Sequence, residues 1–247
     1  MSKLVDKLEN LGQSAPAKLG FGRAAARDKT PVLLVVGRTT DPSAREGLAD
    51  VYLVPSSGLT EEDKVTLWGV TASDGASIDL PALKEKGCQF MMIESEKIPA
   101  GVLADEDMDK GLAVSAGLSE QRVRAIEDGP FEFLVLKPQN LAWPLDVGSM
   151  LDLQEVVSNF SKHMFLEPGA LPGKDDLEVL KQMPVSGIVV DLDSIPAEEV
   201  RSLREAIAKL EPRKQKTDRR PLIPTSGQAP APSSGDDFDD DDDDWDE

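Results

Sequence analysis

Lys137 closes an otherwise apolar run, Phe-Leu-Val-Leu-Lys at 133–137, and is the residue of this chain best suited to carbonyl chemistry. An amine at the end of a buried strand is desolvated, which favours its neutral form, and a neutral amine attacks a carbonyl carbon to give a Schiff base. Glu94, Glu167, Asp191 and Asp193 end other apolar runs. Such carboxylates are hard oxygen ligands of the kind that Mg²⁺ or Mn²⁺ takes. The expected catalytic set is therefore Lys137, Glu94 and Asp191, and the expected metal set is Glu94, Glu167 and Asp191. The competing reading pairs Lys137 with one of these carboxylates as a structural ion pair. Arg38, Ser56, Ser57 and Asn140 follow further apolar runs and are expected to contact a small-molecule ligand.

These residues need a scaffold that brings eight segment ends together. Short runs rich in Val, Leu, Ile and Phe, each closed by Gly, Pro or small polar residues, occupy 31–37, 51–57, 66–72, 89–95, 111–117, 131–138, 163–169 and 187–193. They read as strands. Segments with helical spacing lie at 79–86, 119–127, 146–161, 175–183 and 196–210. In the last of these, Pro196, Glu198 and Glu199 form a first turn ahead of Val200, Leu203, Ile207 and Leu210. Proline costs no hydrogen bond there, and the helix dipole favours the acids. Near-continuous apolar strands alternating with helices imply a parallel sheet covered on both faces. Eight strands predict a small (β/α)8 TIM-like barrel; an open doubly wound parallel sheet is the alternative. In either case ligands bind beyond the carboxyl ends of the strands, where the candidates lie. Asp191 and Asp193, two apart on one strand, are expected to share a face.

Within that order Lys137 ends the sixth strand, a placement similar to the lysine of class I aldolases. The resemblance is one of position and not of motif; it implies a lyase or aldolase activity with Lys137 as the Schiff-base amine. His163 begins the seventh strand, at the amino end, and is expected to be structural. Cys88, after Gly87, is expected to be a small buried residue and not a nucleophile. Ser-Gly at 57–58 and Asp-Gly at 74–75 are turn chemistry before they are phosphate cradles. No dinucleotide, Walker, zincin or nucleophile-elbow motif occurs.

The 247 residues are 40% hydrophobic and 4% aromatic, with one Cys, one His and a formal charge of −19. One cysteine excludes an internal disulfide or a cysteine-cluster metal site, and one histidine excludes a multi-histidine centre. The negative charge opposes binding to nucleic acid and to anionic lipid. No apolar run reaches 18 residues and the start MSKLVDKLEN lacks an apolar core, so a cytoplasmic protein is expected. Residues 1–30 form a partly helical extension, with a short helix at 4–11 that could lie across one barrel mouth, and 31–210 the barrel domain. Residues 211–247 change from basic to Pro/Ser/Gly-rich to DDFDDDDDDWDE, a composition expected to be disordered in isolation. Phe238 and Trp245, set among ten acids, are candidate anchors for a protein partner with a basic rim. The pattern is similar to the acidic tips of bacterial single-strand-binding proteins, without their terminal residues. Two functions follow: a small-molecule enzyme at the strand ends, or a noncatalytic adaptor whose tail binds a partner.

Overall fold

The computed structural model describes residues 3–12, 30–56, 67–139 and 141–212. Ser57, Asn140, Phe238, Trp245 and all of 213–247 lie outside these, as does the expectation of a disordered tail. Eight strands pair in parallel and in sequence order, and the eighth closes on the first. They are β1 (Leu34–Arg38), β2 (Val51–Pro55), β3 (Trp68–Ala72), β4 (Phe90–Ile93), β5 (Asp109–Val114), β6 (Phe133–Leu136), β7 (His163–Leu166) and β8 (Val185–Asp191). Closure is carried by five β1–β8 partners, from Leu34 with Gly187 to Arg38 with Asp191. The open-sheet alternative is thereby excluded. Both faces of nearly every strand are buried, which explains why the strands read as unbroken apolar runs.

Helix α1 (Lys3–Glu9) precedes the barrel; α2 (Leu80–Glu85), α3 (Glu120–Glu127), α4 (Val147–Ser158), α5 (Lys174–Leu180) and α6 (Ala197–Ala208) follow β3, β5, β6, β7 and β8. Side-chain oxygens of Asp79, Ser119 and Asp146 accept the backbone N–H of Ala82, Arg122 and Ser149 and so start α2, α3 and α4. Between β1 and β2 the chain makes only turns, and between β4 and β5 a 3-10 turn, Ala100–Ala104. These short connections are how eight strands fit into so few residues.

Outward-facing strand residues such as Val54, Val70, Met91, Leu134 and Ile188 join the helices in one core. A second core fills the barrel itself: Leu34, Val36, Val51, Leu53, Phe90, Met92, Phe133, Val135, Phe165 and Val189, with Leu4 and Leu8 of α1. Three phenylalanines set its shape. Phe90 and Phe133, and Phe133 and Phe165, meet edge to face with centroids 5.8 and 5.6 Å apart. Each lies against an inward glycine of a neighbouring strand: a Cβ on Gly69 would stand 2.5 Å from Phe90, one on Gly111 2.0 Å from Phe133, and one on Gly187 2.9 Å from Phe165. Large and small residues thus interdigitate, and the apolar interior keeps a void of only about 10 Å³.

Candidate active site at the carboxyl-end mouth

Above the apolar filling the inward side chains become charged. The parity that turns Val36, Met92, Val135 and Phe165 inward also turns Arg38, Glu94, Lys137 and Glu167 inward two residues on, Arg38 ending β1 and the other three lying one residue past β4, β6 and β7, where their backbone N–H groups still bond to the neighbouring strand. They close a ring of alternating charge. Arg38 Nη1 donates to Glu94 Oε1 at 2.6 Å and Lys137 Nζ to the same oxygen at 2.7 Å. Arg38 Nη2 donates to Glu167 Oε2 at 3.0 Å, and Lys137 Nζ stands 3.3 Å from that oxygen. Ser73 Oγ, just beyond β3, donates to Glu94 Oε2 at 2.7 Å. Burial pushes the Glu94 carboxyl up, but hydrogen bonds from Lys137, Ser73 and Arg38 together outweigh it and hold it down at about 2. Glu94 is therefore a fixed anion across the neutral range. Lys137 is 40% exposed and faces solvent at the mouth.

The expected catalytic and metal residues separate at this point. Glu94, Glu167 and Lys137 meet; Asp191 does not join them. Its carboxylate turns back on its own loop, accepting from the Asp193 and Ser194 backbone N–H groups and the Ser194 hydroxyl. Among the described residues no three His, Cys, Asp or Glu side chains stand together as metal ligands. The expected set of Glu94, Glu167 and Asp191 is thus not assembled: two members are engaged by cations and the third is spent on a turn. Asp193 does not share a strand face with Asp191, because β8 ends at Asp191. It instead clasps the β1 loop, accepting from Thr39 Oγ1 at 2.7 Å and from the Thr40 backbone and hydroxyl at 2.9 and 3.0 Å. Arg38, expected as a ligand contact, is part of the ring. Ser56 donates its backbone N–H to Thr71 O at 3.3 Å at the end of β2.

His163 is half-buried at the amino end of β7, with Nδ1 3.3 Å from Ser186 Oγ, away from the ring. Cys88 is buried; burial pushes its thiol up to about 11. Neither residue is placed for chemistry at the mouth. Thr71 and Ser73 end the third apolar run but carry no role on the sequence alone, and Ala113 has no mark there; all three are inward at the carboxyl end. Their signal was the alternation Gly69, Thr71, Ser73 and Gly111, Ala113, in which small or polar residues recur on one strand face.

Strands closed in sequence order, inward layers and a polar carboxyl-end mouth define an α/β barrel of the TIM class. No protein-family model matches the chain, and no curated protein does. Solved structures do match in fold. The chain is similar to 3-keto-L-gulonate-6-phosphate decarboxylase from Vibrio cholerae, at 11% identity over 71% of this chain and 97% of that one, with a TM-score of 0.54. It is similar to a mutant tryptophan synthase alpha-subunit from Pyrococcus furiosus, at 10% identity over 72% and 96%, with a TM-score of 0.54. Thiamine phosphate pyrophosphorylase from the same organism matches at 14% identity over 71% and 95%, with a TM-score of 0.52. At such identities the likeness is one of fold. No helix among the described residues is long and apolar enough to cross a membrane.

Proposed function

We propose that this barrel binds a small carbonyl compound at the carboxyl-end mouth and acts on it as a lyase or aldolase through Lys137. The observation that carries the reading is the Lys137 amine held between Glu94 Oε1 and Glu167 Oε2 at the open end of a filled barrel. Drawing four charges partly out of water costs desolvation that an apolar layer would avoid, so their place supports use over stability as its reason. The two carboxylates divide the work. Glu94, held at about 2, stays ionised and orients the amine; Glu167 takes a proton from Nζ as the nitrogen attacks. The N–C bond forms as the carbonyl π bond breaks, Glu167 returns its proton to that oxygen, and the oxygen leaves as water with a second proton from the nitrogen; the protonated imine that remains takes up the electron pair of a bond at the adjacent carbon, from which a proton, carbon dioxide or an aldehyde departs. The fold neighbours named above include a decarboxylase, which supports a lyase on such a scaffold.

The test is borohydride trapping with small aldehydes and 2-oxo acids, followed by peptide mass mapping. An adduct at Lys137, absent in Lys137→Met, is the expected result; labelling spread evenly over exposed lysines such as Lys97 and Lys209 overturns it. Lys137→Met keeps most of the stem's apolar volume. One observation favours a second reading: the ring is charge-closed, each carboxylate engaged by both cations. On that reading the barrel is a noncatalytic scaffold, and Phe238 and Trp245 in the acidic segment contact a basic protein partner. Absence of trapping with retention of a basic partner by a 236–247 peptide would favour it.

A further inference from the structure

We infer that the mouth contains a carboxylate-binding socket, formed by Thr71 and the Nε of Arg38 beside the ring, which selects 2-oxo acids among carbonyl compounds. The substrate class rests on the reading of Lys137 above; the socket rests on separate observations. Thr71 is 4% exposed and its side chain lies on the inward face of β3, between Gly69 and Ser73. Its Oγ1 has no hydrogen-bond partner among the described residues, and neither does the buried Arg38 Nε. A buried hydroxyl or guanidinium N–H left unpaired forfeits its bonds to water with nothing in return, so native structures normally satisfy such groups. Both groups are donors, and both side chains are inward. The strand registers step one residue per strand around the barrel, which puts Arg38, Thr71, Ala113 and Glu167 of the odd-numbered strands in one inward layer.

Ala113 supplies room. It is inward like Gly111, yet it is only partly buried while its outward neighbours Leu112 and Val114 are buried, so solvent reaches down the mouth to its methyl group. The other three side chains of the layer are larger, so the layer is least filled at Ala113. Arg38 Nη1 and Lys137 Nζ share Glu94 Oε1, so the guanidinium that carries the unpaired Nε belongs to the same charge cluster as the amine. The two atoms of this socket offer N–H and O–H donors to an oxyanion, and a compound with its carboxylate next to the reacting carbonyl is the one that engages both the socket and Nζ. A 2-oxo acid meets both conditions; a simple aldehyde meets only one. Ala113 then limits the size of the group carried beyond the carbonyl.

Binding is tested with a 2-hydroxy acid, which cannot form an imine, against the corresponding neutral 2-hydroxy amide, by calorimetry on the full chain. The acid should bind at least tenfold more tightly than the amide. Thr71→Val should remove that preference, Thr71→Ser should retain it, and Ala113→Leu should abolish binding of both. Equal binding of acid and amide, no binding of the acid, or an unaltered preference in Thr71→Val overturns the socket. Trapping of aldehydes at Lys137 without a carboxylate preference would leave the lysine reading standing and remove the socket; acid binding without trapping would do the reverse.

Discussion

Glu94 and Lys137, forty-three residues apart in the chain, meet at 2.7 Å across the barrel mouth, and Glu94 is held at about 2 by contacts that outweigh its burial. The sign of the resulting pH dependence follows from that depression. An unfolded glutamate titrates near 4.3, so the contribution of this carboxylate is fully present above about pH 5 and is lost as pH falls through the folded value. Urea titrations of the wild type and Glu94→Gln should differ by on the order of 2 kcal/mol at pH 7 and converge between pH 4 and 2. A constant difference across that range would show that Glu94 is not the titrating member of the ring.

The glycine and phenylalanine complement of the interior predicts a severe response to one methyl group. A Cβ at Gly111 would stand 2.0 Å from the Phe133 ring, which is fixed between Phe90 and Phe165. Gly111→Ala should therefore cost about 2 kcal/mol or more by overpacking. Phe133→Leu introduced with it should recover part of the loss, because the smaller side chain vacates the clash. Additive losses in the double variant, read from denaturant midpoints, would show that the two positions do not compete for the same space.

The strand order was legible because burial on both faces writes itself as apolar runs, and every run proved to be a strand. The site was legible in part. Lys137, Glu94 and Glu167 stand out because a charge ending a buried run must face the mouth or solvent. Asp191 has the same signature and a different fate, since Ser194 offers its carboxylate a local turn; side-chain capture of that kind depends on backbone dihedrals that composition does not reveal. Thr71 and Ala113 carry no charge to mark them, and only the closed register shows that they share a layer with Arg38.

His163 gives a slope of the same sign as Glu94 in a higher pH window, although here the depression comes from burial and not from bonds to the charged form. Burial holds the imidazole below its ordinary value, more strongly than the Glu9 charge raises it, so the unfolded chain binds the proton more readily. Stability should then rise with pH through the window below about 6.5, where the unfolded histidine is charged and the folded one resists charging. His163→Gln should flatten that part of the profile while leaving the acid limb due to Glu94 in place. A profile unchanged between pH 5 and 7 in the variant would assign the slope to other groups.

The opposite end of the barrel from the ring is closed by α1, and this too can be measured. Leu4 is 1% exposed among Val36, Val51, Phe90 and Phe133, Leu8 is 2% exposed in the same cluster, and Lys7 Nζ donates to the Asp50 carbonyl at 3.0 Å. A seven-residue helix has little stability of its own, so α1 persists through this burial and not through propensity. Leu4→Ala should cost about 2–4 kcal/mol, from lost transfer energy and from enlargement of a void that is now almost nil. Lys3→Ala, on the exposed side of the same helix, should change stability by less than about 0.5 kcal/mol. Because the plug and the ring lie at opposite ends of a filled interior, Leu4→Ala should leave trapping at Lys137 unchanged under conditions where the variant remains folded. Equal, small losses for the two substitutions would mean that α1 is not seated in the barrel, while loss of trapping in folded Leu4→Ala would show that the two ends are coupled through the phenylalanine layer.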